Sequence, residues 1–388
     1  MKPEWYTKIA EVPQWPADPR HNVFLTPGWT TSVEGALTDR QRYVLRRDET
    51  GAVRASAALY AIGPGVPPFF TPAGLASGHL RNESLLSVLS AGERQRAAYL
   101  AERIEATLGR SVVCTAPFGF THGLSWSGRP DVLRPLVREM DEARGAWEAD
   151  CSAVLYVEEG EREVREALEQ EGYQAVQTGA TCVLPITFDS FEGYLDTLSR
   201  RRGVLRERRV FEESGFTVGL ESIEDNLDTI ADMQARLQEK YGSPYDFEGE
   251  RAVFRSVVEN VGEYAHMLVG RRDGELLAFA VFLERAGVIH VKMAARDVGR
   301  AGTDSFAHFN LGYYAMVQEA LRRGVREINY GPEGYTTKLR RGCVPRKLFW
   351  YLKGPEALGD DLAETCRLVT LMHERRIESI VEGAKGGS

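Results

Sequence analysis

Leu268-Val-Gly-Arg-Arg-Asp-Gly274, followed by Glu275 to Leu283, reads as a strand, a tight turn closing on glycine, and a returning apolar strand. Asp-Gly between two apolar runs is a strong hairpin signal, because both central turn positions suit residues that tolerate a left-handed backbone. A close copy lies far earlier in the chain: Tyr43-Val-Leu-Arg-Arg-Asp-Glu-Thr-Gly51, followed by Ala52 to Tyr60. After the first hairpin the patterning predicts a helix over 131–147, a strand over 152–157, a helix over 162–171 ending at Gly172-Tyr173, and a strand over 175–185. After the second it predicts strands over 288–295, 325–330 and 347–352, with a helix over 307–323 ending at Gly324. Hairpin, helix and strand used twice point to a duplicated module. The expected fold class is α/β, of the α+β kind: two tandem lobes, residues 1–185 and 186–388, each a mixed central sheet flanked by helices.

A chain of 388 residues is long enough for two domains of ordinary size. With 43% hydrophobic and 27% charged residues it has a globular composition, and its net charge of -8 argues against wholesale nucleic-acid binding. Five cysteines, an odd number with no Cys-x-x-Cys pair, indicate neither a disulfide framework nor a zinc site, so no metal is expected. The longest apolar runs, such as Leu276 to Leu283, are strand-sized and well short of the roughly 20 residues of a membrane span. Met1 to Pro16 lacks the apolar core of a secretory signal, so the expectation is a cytoplasmic protein.

Between the two modules the pattern predicts one long basic helix over 191–214, stopped by Gly215, then a strand over 216–220 and helices over 226–241 and 250–261. Arg200, Arg201, Arg202, Arg206, Arg208 and Arg209 crowd the basic helix. At 100° per residue, Phe191, Leu195, Leu198 and Leu205 form an apolar face on which Arg202 and Arg209 also fall. Arginines on such a face suit a phosphate-bearing ligand, with Arg202, Arg206 and Arg209 as donor-binding candidates. The alternative is a set of surface ion pairs with Glu207, Glu212 and Glu213.

The segment His308-Phe-Asn310-Leu-Gly-Tyr-Tyr314, leading through Asn329-Tyr-Gly331-Pro-Glu-Gly334-Tyr-Thr-Thr-Lys338-Leu-Arg-Arg341-Gly342-Cys-Val-Pro345, carries the richest chemistry. His308 and Asn310 open an otherwise apolar helix, where unpaired N–H groups can stabilise an oxyanion; the plainer alternative is a cap. Gly331 and Gly334 permit close backbone approach to a ligand, and Lys338 and Arg341 add positive charge nearby. Cys343 has Arg341 and Arg346 beside it but no adjacent histidine, and the chain contains no Gly-x-Ser-x-Gly elbow, phosphate loop or His-Glu-x-x-His motif.

This segment resembles the Fem-like branch of the GNAT acyltransferase superfamily, in particular its peptidoglycan biosynthesis or recognition group. The shared pattern is His308-Phe309 before a helix with Tyr314, then Gly331 and Gly334, Lys338, and Arg341-Gly342 with Pro345. Ser199-Arg-Arg-Arg202 and Arg206-Glu-Arg-Arg209 are similar to that group's basic helix, and Gly172-Tyr173 after a short helix is similar to the close of a GNAT fold. Asn310 stands where an acidic residue is often seen, and the first lobe carries no clear family motif.

The resemblance implies two GNAT-like lobes with His308, Asn310, Tyr314 and Lys338 as catalytic candidates, and Arg202, Arg206, Arg209, Arg341, Gly331 and Gly334 as donor-binding. It implies transfer of an aminoacyl group from the acceptor end of an aminoacyl-tRNA to a small amine or hydroxylamine, in natural-product or cell-wall biosynthesis, with no cofactor. Arg296-Asp-Val-Gly299-Arg-Ala301 fits the Arg-x-x-Gly-x-Ala loop with which GNAT enzymes cradle coenzyme A, which keeps an acetyl-CoA-dependent N-acetyltransferase as the alternative. The loop precedes its helix by several residues too many for the usual cradle. A non-catalytic protein that binds an amino compound or glycan is the third reading.

Overall fold

The computed structural model describes residues 3–16, 22–127 and 130–386. Met1, Lys2, Gly387 and Ser388 lie outside them. By internal contacts the chain divides into a first unit, residues 1–180 with 346–382, and a second, residues 181–345 with 383–388.

The first unit opens with strands β1 (Glu4–Tyr6), β2 (Gln41–Arg47) and β3 (Val53–Ile62). The early hairpin is β2–β3, with Tyr43 opposite Ala58 and Gly51 at φ 84 in its turn, where an L side chain would be strained. Helix α1 (Ala91–Thr107), β4 (Ser111–Cys114), β5 (Leu124–Trp126), α2 (Leu133–Ala146), β6 (Cys151–Glu158) and α3 (Arg162–Gln170) follow. In the sheet the order is β1-β2-β3-β4-β6, with β5 also on β3. β4 and β6 run parallel, Ser111 beside Cys151 through Cys114 beside Val154, and α2 lies between them in the chain.

The sequence reading passed over α1 and β4. Helix α1 carries a signal for its start: Ser90 accepts the Glu93 N–H while the Glu93 carboxylate receives the Ser90 N–H. β4 is four buried residues, too short for any period to show.

In the second unit the end of β7 (Gln174–Pro185) is followed by α4 (Phe191–Asp196) and α5 (Arg201–Glu213). The single helix expected over 191–214 is therefore two. The first closes as the amides of Thr197 and Leu198 bond back three residues, to Tyr194 and Leu195, and the Thr197 hydroxyl also donates to the Tyr194 carbonyl at 2.7 Å. The restart at Arg201 resets the helical phase. Leu205, counted with Leu195 and Leu198, is 42% exposed, and Val204 and Phe211 form the buried face instead.

After β8 (Thr217–Glu221), α6 (Leu227–Lys240) and α7 (Phe247–Val261) come β9 (Ala265–Arg272), β10 (Glu275–Arg285) and β11 (Val288–Arg296). The short helix α8 (Val298–Ala301) precedes α9, which is α-helical over Ala307–Phe309, widens to a π-helix over Asn310–Ala315 and ends as an α-helix over Met316–Arg323. β12 (Glu327–Pro332) and α10 (Tyr335–Leu339) complete the unit, whose sheet order is β7-β12-β11-β10-β9-β8. β11 and β12 are parallel but pair only from Val288–Glu327 to His290–Asn329, so their later halves are not joined to each other. Just past that point β11 bulges at Lys292, since Val281 faces Met293 while Phe282 faces Val291. Each unit thus contains a hairpin and a parallel strand pair connected through a helix; the sequence pattern marks the hairpin, the helix and the strand after it in both, but not β4.

The last strand, β13 (Val344–Lys353), and the last helix, α11 (Asp360–Gly386), depart from a division at residue 185. From Arg346 to Glu382 the chain belongs to the first unit, because Leu348 to Lys353 pair with β6 and Leu362, Val369 and Met372 enter that unit's core. Burial also brings His79, on a π-helical turn over Leu75–Leu80, against His373 of α11, with Nδ1 and Nε2 2.9 Å apart. Burial and the nearby Arg376 charge push His79 down to about 4; burial, His79 and Arg376 push His373 well below its ordinary value.

In the unfolded chain both imidazoles titrate near 6.5. Between that value and the lower folded ones the unfolded chain holds more protons, so stability rises with pH. The contribution is complete above about pH 6.5 and is lost as pH falls toward 4, at up to about 1.4 kcal/mol per pH unit for each histidine. Thermal melts between pH 7 and pH 5 should show Tm falling, with a shallower fall in His79→Gln.

Candidate functional site

The polar centre of the second unit is built by α5, α9 and α10. Val204, Glu207 and Phe211 share the inward face of α5, at the three- and seven-residue spacing of one helical stripe. Glu207 Oε2 accepts from Arg341 Nη2 at 2.8 Å and from the Tyr314 hydroxyl. Arg341 also donates from Nε to the Tyr314 oxygen at 3.2 Å and from Nη1 to the Thr337 carbonyl at 3.1 Å, and its guanidinium stacks 3.9 Å from the Phe309 ring centroid. The residue is 7% exposed. Removing one partner from a buried pair of this kind costs roughly 3–5 kcal/mol, because the other charge is left uncompensated.

Two expected contributors are thereby placed in new surroundings. Arg341, read as donor-binding, has its guanidinium engaged by protein groups and ties α10 to α5 and α9. Asn310, read as catalytic, is buried, and its amide donates to the carbonyls of Phe306 at 3.0 Å and Glu207 at 3.2 Å. It braces the start of α9, where Phe306 takes a left-handed conformation at φ 54. Tyr314 is buried, and burial pushes its phenol up, so it stays a neutral donor to Glu207. Glu207 itself was counted in the sequence only as a surface partner for the arginines; its place four residues before Phe211 was the available signal.

Lys338 is likewise turned toward the protein. Its ammonium donates to the carbonyls of Tyr330 at 2.8 Å, Gly331 at 3.0 Å and Pro332 at 2.8 Å, which occupies all three N–H bonds. Burial lowers its pKa. These carbonyls lie where β12 turns, through Gly331 at φ 70, Glu333 at φ 61 and Gly334 at φ 63. Both glycines take the left-handed backbone that this turn requires. Asn329 Oδ1 fixes the same turn by accepting from the Gly331 N–H at 2.8 Å and the Thr181 hydroxyl at 2.9 Å. Cys343 is buried and its thiol is pushed up by burial, so it is not an activated nucleophile.

His308, in the first turn of α9, keeps an exposed surface. The protein packed around the rest of its ring, with the charges of Arg296 and Arg341, pushes its pKa down to about 4. Its imidazole is neutral at pH 7, able to donate one N–H. Tyr313, 6.4 Å from the His308 ring by centroids, stacks on Tyr330 with centroids 4.7 Å apart, joining α9 to β12.

Arg202, Arg206 and Arg209 are exposed on the outward side of α5, not on an apolar face, because the helix breaks before Arg201. Arg209 approaches Glu213 at 3.7 Å and Arg208 approaches Glu212 at 3.3 Å, while Arg201 pairs with Glu192 and Asp196. At the coenzyme A-like segment a helix starts sooner than expected, α8 from Val298 and not several residues later; Asp297 caps it, Oδ1 accepting the Arg300 N–H at 2.9 Å, and the Arg300 guanidinium pairs with Glu275. A carboxylate therefore already holds an amide that a cradle of that type would turn to phosphate.

A cavity of about 350 Å³ bordered by Ile223, Val258, His266 and Met267 contains none of the expected site residues. Among the described residues no cluster of three or more histidine, cysteine or acidic side chains could hold a metal ion, and no helix is long and apolar enough to cross a membrane.

The FemAB-like family model, for peptidoglycan biosynthesis/recognition, matches residues 101–353, well over half the chain. No curated protein matches. Among solved structures, FemX is similar over 90% of this chain and 96% of its own at 12% identity, with a TM-score of 0.58. L-PGS from Bacillus licheniformis is similar over 93% of this chain and 99% of its own at 15% identity, with a TM-score of 0.50. At such identities the two likenesses speak for the fold alone, and it is the family match over residues 101–353, carrying both the arginine-rich α5 and the segment from His308 to Pro345, that makes this chain a member of the FemAB-like family and an acyltransferase.

Proposed function

We propose that the protein transfers an aminoacyl group from aminoacyl-tRNA to a small amine or hydroxylamine. The observation that carries this reading is the two-faced character of α5. Its inward Glu207 bonds Tyr314 and Arg341 at the site, while Arg202, Arg206 and Arg209 line its outward side. Guanidinium groups beside a transfer site suit a donor whose activated ester is carried on a polyanion. The contacts of Asp297 and Glu275 at the coenzyme A-like loop favour this over an acetyl-CoA donor.

In this reaction the acceptor's neutral nitrogen attacks the ester carbonyl, a tetrahedral oxyanion forms, the bond to the ribose oxygen breaks with return of a proton to that oxygen, and an amide remains. His308 is the accessible group for the oxyanion: its neutral imidazole donates an N–H without itself ionising. Lys338 acts at one remove, as a positioning residue that holds the Gly331–Gly334 turn through three carbonyls. Tyr314 and Asn310 hold α9 against α5. No step calls for a metal or a covalent intermediate.

The test is to supply candidate acceptors with labelled aminoacyl-tRNA or labelled acetyl-CoA, with and without ribonuclease. Ribonuclease-sensitive transfer from the tRNA is expected; transfer from acetyl-CoA that survives ribonuclease would overturn the donor assignment. Loss of one oxyanion donor lowers turnover by about a hundredfold or more, so His308→Ala should lose kcat with little change in KM. With its imidazole neutral down to about pH 4, the wild-type rate should show no His308 inflection near pH 6.5. Lys338→Met should lower kcat while its thermal melt remains a single cooperative transition; full activity in that variant would remove the turn from the mechanism.

A further inference from the structure

We propose that the notch between Arg200 and Arg340 is an anion subsite that seats a phosphate group of the acyl donor, an assignment that rests on the donor being a phosphate-bearing acyl carrier. Neither arginine was among the donor-binding candidates. The notch is lined by Arg200, Gly203, Glu207, Tyr314, Arg340 and Arg341; it is open to solvent, and its space of about 10 Å³ admits a single atom group such as one phosphate oxygen.

Its charge follows from the bonds around it. Glu207 and Arg341 neutralise each other at 2.8 Å, and the remaining Arg341 donors go to Tyr314 and Thr337. Arg200 and Arg340 are exposed, and neither makes an ion pair among the described residues. Two uncompensated guanidinium groups thus rim a polar notch whose acidic residue is already neutralised. The Arg200 guanidinium lies against α5 at Gly203, 3.6 Å from where a Cβ on that residue would stand. Planar forks on two sides of a small opening match the spread oxygens of a phosphodiester or pyrophosphate better than a single point charge does.

Both donor classes considered above carry this chemistry, a tRNA end in its phosphodiesters and coenzyme A in its pyrophosphate. Calorimetric titration of the full-length protein with inorganic pyrophosphate probes the subsite apart from any transfer activity. Loss of charge-assisted hydrogen bonds lowers affinity by about tenfold to a hundredfold, so Arg200→Ala/Arg340→Ala should bind pyrophosphate at least tenfold more weakly. Arg94→Ala, an exposed arginine in the first unit, should bind as the wild type does. Equal thermal melts of the double variant and wild type exclude misfolding. Displacement of pyrophosphate by uncharged tRNA or by coenzyme A then names the source of the phosphate. A wild type that does not bind pyrophosphate, or a double variant that binds it equally well, overturns the subsite. Arginine-dependent binding in a protein that transfers from neither donor keeps the subsite and removes the transfer reading.

Discussion

A guanidinium does not escape burial by giving up its proton, so a fold that encloses one has to bring acceptors to it. Arg341 imposes that condition on the second unit. Its three contacts come from Glu207 of α5, Tyr314 of α9 and Thr337 of α10, and Asn310 adds a further tie from α9 to the Glu207 carbonyl. With Glu207 turned inward, the rotational setting of α5 is determined, and its other residues follow: Val204 and Phe211 inward, Arg202, Arg206 and Arg209 outward. The exposed cationic stripe depends on a buried ion pair.

Around this pair the site relies on positioning. Lys338 holds the end of β12 through three carbonyls, two glycines and Glu333 take the left-handed backbone that the turn demands, and the π-helical stretch of α9 carries Asn310, Tyr313 and Tyr314 to their partners. A wider helical turn in such a place is a local irregularity held by its surroundings, as functional segments often are. Lys338 and Arg341, singled out for their charge, are engaged by protein groups, whereas His308 and the outer arginines stay exposed.

The hairpins β2–β3 and β9–β10 were legible because turn chemistry is local: Asp, Gly and a left-handed backbone suffice to mark them. Strand β12 and the helical extent of α9 were legible from period and from Gly324, which ends the helix in a left-handed conformation at φ 65. The continuous helix over 191–214 was misread because nothing local marks Thr197 to Arg200 as a stop. What sits there is a packing contact: the Tyr194 hydroxyl reaches the Arg341 carbonyl at 3.0 Å, and Leu198 packs 3.2 Å from where a Gly342 side chain would begin. The helical wheel drawn across that break assigned Arg202 and Arg209 to a face that does not exist.

By itself, the sequence determined the repeated hairpin with a later helix and strand, the presence of glycines at the turn after β12, and the concentration of polar residues between His308 and Pro345. Each of these depends on backbone preferences and spacing within a few residues. The tertiary structure alone decided that Arg341, Lys338 and Asn310 face protein groups, that Glu207 turns inward to Arg341 and Tyr314, and that the chain after Arg346 returns to the first unit. Arg341, Asn310 and the returning chain depend on partners a hundred or more residues away, and Lys338 on carbonyls six to eight residues back that only the folded turn after β12 gathers; a charged side chain carries no local mark of whether its partner will be water, ligand or another part of the protein.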